Sequence, residues 1–221
     1  MPFPGHQMRC PTAELAHRPQ SAAFRRVRPL EGGHRPGGWS IYTEHMASAH
    51  PLNLWTAIDT AGPASLDARV RPAARSAAQV RSEVSRLLGE PPAQTGVRRT
   101  ELILALALLW HDRLGEAHAL VQEREGDADA DLLHALLHRR EGDYGNAKYW
   151  FSAAGAHPTF PALAAEAQAR TLPALTQGGT WSPASMVEAV RLACTASAPA
   201  EALIAIQRLE FASLCAYLIA S

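Results

Sequence analysis

Residues 138–151 read HRREGDYGNAKYWF and gather side chains that are scarce elsewhere in the chain. His134 and His138 stand four positions apart, so a helix stacks them on one face, and Glu141 continues the stripe. Two imidazoles and a carboxylate in that arrangement can move protons or hydrogen-bond a ligand. With His111 or His118 as a third donor they can also hold zinc or another divalent ion. No H-E-x-x-H pattern occurs and no cysteine lies nearby, so a network of mutually satisfied histidines is the first expectation, with no metal and no cofactor.

Lys148 is the single lysine among 21 basic residues. Arginine keeps its charge in any setting, whereas lysine is a compact ammonium that can lose its proton when desolvated. Lys148 is therefore a candidate contact for an anion, or an amine nucleophile, set against the plainer role of a cation near a helix C-terminus. Arg139 and Arg140 project to different sides of the His stripe, and one of them is expected to reach solvent. The other can pair with Glu141 or Asp112. Asn146 can donate and accept hydrogen bonds. Tyr149 and Trp150 are expected to face away from Lys148, with Trp150 covering the core or walling a groove. The candidate ligand-binding set is His111, His118, His134, His138, Arg139, Glu141, Asn146, Lys148 and Tyr149. Gln207 and Glu210, at i and i+3, are expected on a solvated helix face.

The elements that must position these residues read as helices. In 73–88, Val80, Val84, Leu87 and Leu88 make one apolar stripe, ended by Gly89 and Pro91-Pro92. Further helices are expected near 99–111, 114–125, 130–141, 144–154 and 160–171. Ser182-Pro183 is an N-cap with proline at the first helical position, opening a helix to about 195, and Pro199 opens the last one, 200–219. No stretch alternates with period two, so almost no strand is expected.

Within this series HDRLGEAHALVQE and EGDYGNAKYWFSA align at an offset of thirty residues. Leu114, Ala117 and Val121 match Tyr144, Ala147 and Phe151, and Ala105 matches Ala135 in the preceding helices. Hairpins at 99–125 and 130–154 follow. Gly142, Asp143, Tyr144, Ala147, Phe151, Ala154 and Pro158 make the second hairpin resemble a tetratricopeptide repeat. In the first, Asp112 stands in the glycine position. The string also resembles a segment of certain bacterial and fungal proteins with no assigned activity, which implies a common helical fold and no chemistry. Two units are fewer than a free-standing solenoid needs, so flanking helices must cap them. The expected fold is all-α: tetratricopeptide-like hairpins packed with flanking helices into one globular domain over 50–220.

Residues 1–45 are rich in Pro, Gly, Arg and His and carry no apolar period. A disordered tail, an Arg-rich transit peptide and a true start at Met46 remain open. The 21 basic and 21 acidic side chains cancel, which disfavours nucleic acid and anionic membrane as partners. Three scattered cysteines without C-x-x-C spacing suit a reducing cytoplasm. The longest apolar run, LILALALLW, is too short to span a bilayer. The functional expectation is a cytoplasmic binding module for a protein segment or small anionic ligand, centred on 134–150. The alternatives are an enzyme with a His base or His-bound metal and Lys148 as clamp or nucleophile, and a purely structural polar network.

Overall fold

The computed structural model describes residues 49–89, 94–196 and 200–220. The expected tail over 1–45, the alternative start at Met46 and the helix-opening Pro199 lie outside the described residues. Nine α-helices are present among them: α1 (Ala49–Ile58), α2 (Ala77–Leu88), α3 (Gln94–Trp110), α4 (Leu114–Gln122), α5 (Ala128–Glu141), α6 (Tyr144–Ala154), α7 (Phe160–Ala169), α8 (Pro183–Ala196) and α9 (Glu201–Ala220). The only sheet among the described residues pairs two-residue strands, β1 (Thr176–Gln177) with β2 (Thr180–Trp181), antiparallel. The fold is all-α.

Local chemistry sets the ends of these helices. Ser76 Oγ accepts from Gln79 N at 3.3 Å while Ser76 N donates to Gln79 Oε1 at 2.9 Å, a reciprocal capping box that starts α2. Gly89 closes it at φ 67°. Ser182 Oγ accepts from Ser185 N at 3.3 Å and Pro183 begins α8. Between α5 and α6 only Gly142 and Asp143 intervene. Gly142 turns the chain at φ 83°, a left-handed conformation without steric cost for glycine, and Asp143 caps α6 through Asn146 N at 3.1 Å.

Thirty residues earlier Asp112 takes the same turn at φ 62°. A side chain at such a φ is strained, and the conformation persists only where the surroundings hold it. Arg71 donates from its backbone N and its Nε to Asp112 Oδ2, each at 2.9 Å, and Arg140 Nη2 donates to Oδ1 at 2.6 Å. Two guanidinium groups thus clasp one buried carboxylate and pin the loop before α2 to the corner between α3 and α4.

Consecutive helices from α2 to α6 pack on one another, α8 covers α6, and α9 lies across α1, α3 and α7. The small residues aligned by the repeat, Ala105, Ala117, Ala135 and Ala147, are all buried, which lets neighbouring backbones approach. A second, smaller core gathers Leu163, Ala167, Leu175, Trp181, Met186 and Ile206. By length and composition α9, with a mean hydropathy of 1.5 over its best window, could cross a membrane. Here it buries Ile206, Phe211, Leu214 and Leu218 against the rest of the fold, together with Gln207 and Glu210.

The helix that decides the site is α5, buried without interruption from Ala130 to Arg140. A helix enclosed on all sides must find partners for every polar side chain it carries. Two expectations fail for this reason. Neither Arg139 nor Arg140 reaches solvent, at 0% and 1% exposure, and Gln207 and Glu210 do not form a solvated face. Arg139 Nη1 meets Glu210 Oε1 at 2.9 Å and its Nη2 reaches Gln207 Oε1 at 3.5 Å, so the polar stripe of α9 receives the arginine of α5.

Candidate functional site

Where α4 and α5 pack, His118, His134 and His138 meet. Helical spacing stacks the last two on one face of α5, and the α4/α5 contact brings His118 across from them. His118 Nε2 and His134 Nε2 are 2.9 Å apart, and one nitrogen from each of the three rings lies within 4.8 Å of the others. The His118 ring stands edge-on to His134 and His138, whose own rings are stacked at 22° with centroids 4.8 Å apart. Trp150 of α6 lies over the other face of His134 at 4.1 Å and 20°. Tyr149, 63% exposed, meets Trp150 edge-on.

The hydrogen bonds assign the protons. Glu141 Oε2 lies 3.0 Å from His138 Nδ1 and, as a carboxylate, can only accept, so Nδ1 carries the hydrogen. His138 Nε2 then offers a lone pair to Asn146 Nδ2 at 3.2 Å. The short contact between His118 and His134 needs one N–H and one lone pair. His134 Nδ1 is buried and has no hydrogen-bond partner. Burial, and then the neighbouring His138 and His118, push the His134 pKa from 6.5 down to about 4, so this ring is neutral at pH 7.

The other expected site residues separate from this centre. His111 is buried 1% exposed at the α3/α4 corner, accepts from Arg75 N at 3.2 Å, and is pushed down to about 4 by burial, with Arg75 and Arg71 adding to it. Arg139 is committed to Glu210. Lys148 stands at the surface paired with Glu188 of α8, which also accepts from Arg191 Nε at 2.8 Å. Glu141 and Asn146 belong to the cluster and Tyr149 to its rim. Trp150 walls the site, one of the two roles its spacing allows.

His157 was outside the expected set. It is buried, with Nδ1 2.9 Å from Thr159 Oγ1, Nε2 3.0 Å from Asp129 Oδ1 and its ring against Tyr217. The H-P-T order of 157–159 carries the threonine contact, but nothing in the sequence pairs His157 with Asp129.

The cluster offers lone pairs from imidazole nitrogens, with a carboxylate behind one of them and an amide beside it. Fold and site together define an all-α protein with three histidines converging at a helical-hairpin junction. No protein-family model, curated protein or solved structure matches the chain.

Proposed function

We propose that the protein is a helical-hairpin binding module, tetratricopeptide-like in its repeat, whose ligand site is the His118–His134–His138 cluster. Its ligand is an electron-pair acceptor, a metal ion or a protonated amine, in place of the anion the sequence suggests. One observation carries this reading: three ring nitrogens converge within 4.8 Å. The two cations expected to meet an anion, Arg139 and Lys148, already face Glu210 and Glu188. The exposed ring of Tyr149 at the rim also suits a cation. An amine-nucleophile enzyme loses support, because Lys148 is neither desolvated nor buried.

A purely structural role has its own favouring observation, since every cluster nitrogen described above except His134 Nδ1 has a partner. Histidine-ring 15N resonances separate the readings. Zinc or methylammonium, added separately, should move the His134 and His138 signals, at least one of them saturably, while inorganic phosphate leaves them in place. A saturable phosphate response sinks the acceptor assignment. Silence toward all three probes, with a lowered melting temperature in His118→Ala, returns the cluster to a packing role.

A further inference from the structure

We infer that His118, His134 and His138 form a site for one divalent transition-metal ion of the zinc, copper(II) or nickel(II) class. The inference rests on the ligand-site reading above and names the ligand. Three imidazoles are borderline donors that suit these ions, whereas calcium and magnesium require oxygen. Nitrogens bound at about 2.0–2.1 Å around a tetrahedral ion lie roughly 3.3 Å from one another. The His118 and His134 Nε2 atoms stand at 2.9 Å, and all three ligand atoms lie within 4.8 Å. Small side-chain movements on an existing helix pair therefore complete the triangle, without rearrangement of the backbone.

The surroundings of His138 match what a metal-bound histidine uses. Its Nδ1–H is held by Glu141, which fixes the tautomer and raises the basicity of Nε2. Asn146, which donates to Nε2, must turn aside or present its amide oxygen. Hydrogen bonding inside the protein leaves the cluster incompletely used, because His134 Nδ1 is buried without a partner on a residue only 3% exposed. His118, half-buried, gives the ion a way in and leaves a coordination position for water.

A ring movement is required as well. The lone pairs of stacked rings lie in nearly parallel planes, so His134 and His138, at 22°, cannot meet one ion until a ring tilts. His134 also lies against Trp150 at 4.1 Å, and that tilt must change the Trp150 environment.

The test uses the untagged full chain, stripped with a chelator and titrated with zinc by competition against a colorimetric chelator, and with cobalt(II) followed by its visible absorption. One ion per chain is expected, with a change in tryptophan emission that disappears in Trp150→Phe. His118→Ala, the least buried ligand and so the substitution best tolerated by the fold, should weaken zinc by more than 100-fold. Glu141→Gln should weaken it about 10- to 100-fold while keeping one ion per chain. No bound ion, or an affinity unchanged in a folded His118→Ala, overturns the metal site. If zinc and cobalt are silent but methylammonium still moves the histidine resonances, the metal is wrong and the binding module stands. If all are silent, both fall.

Discussion

Two cations show how differently a charge can be used in this chain. Arg139 is wholly buried and meets Glu210, while the side chain of Lys148 is 42% exposed and meets Glu188. Removing one partner of a buried pair strands the other charge, so Arg139→Met should destabilise by about 3–5 kcal/mol in urea unfolding. Adding Glu210→Leu should recover much of that loss, because the orphaned carboxylate is then gone. A double variant as unstable as the single one would show that the packing of the guanidinium, and not the stranded charge, dominates. The exposed pair is screened by water, and Lys148→Met should leave the unfolding midpoint unchanged. The rarity of lysine in the sequence therefore marked a surface ion pair, and Arg139, expected among the ligand contacts, instead ties α5 to α9.

At the scale of elements, the two hairpin corners solve one problem in two ways. Gly142 adopts its left-handed turn freely, and Gly142→Ala should cost about 1–2 kcal/mol because a Cβ is strained at φ 83°. Asp112→Gly would relax the backbone at φ 62° yet leave Arg71 and Arg140 without their shared carboxylate. Net destabilisation is expected on thermal unfolding; a more stable Asp112→Gly would mean that turn strain outweighs the clasp. The glycine-position alignment of Asp112 is what made this corner legible, and the Ser182-Pro183 cap made the start of α8 legible, because both signals act within a few residues; the Ser76 capping box went unread, so α2 was expected from 73 and starts at Ala77. The stacking of His134 and His138 was legible from helical period. The sequence offered His111 or His118 as the third partner, and the choice of His118 depends on how α4 lies on α5. The burial of α5 on all sides was hidden, since Arg139 and Arg140 near its C-terminal end were expected to place one guanidinium in solvent. Asp112, which takes Arg140, was one of the two partners foreseen for an arginine, whereas Glu210, which takes Arg139, lies far along the chain.

Over the whole molecule, burial of neutral histidines makes stability depend on pH in a direction that can be worked out. His111 and His134 are pushed from 6.5 to about 4, chiefly by desolvation, with Arg75 and Arg71 beside the first and His138 and His118 beside the second. An unfolded chain takes up protons at both near pH 6.5, while the folded chain resists until about 4, so the unfolded state binds more protons in that window. The stability that comes from keeping these rings neutral is complete above 6.5 and is lost as pH falls toward 4. At about 1.4 kcal/mol per pH unit and group, the loss is on the order of 3 kcal/mol for each histidine. Asp112 enters later. Burial alone would raise its pKa, but Arg71 and Arg140 hold the carboxyl below 3.8, so its contribution goes only in stronger acid. Urea midpoints should therefore fall steadily between pH 7 and pH 4.5, and His134→Leu should make that slope shallower even if it lowers stability at neutral pH. A flat profile through this range would mean that water reaches both rings in the folded state. Zinc adds a further handle, because protons compete with the ion for the same lone pairs: at saturating zinc the midpoint should stand higher at pH 7 and fall more steeply toward pH 5, converging there with the metal-free curve.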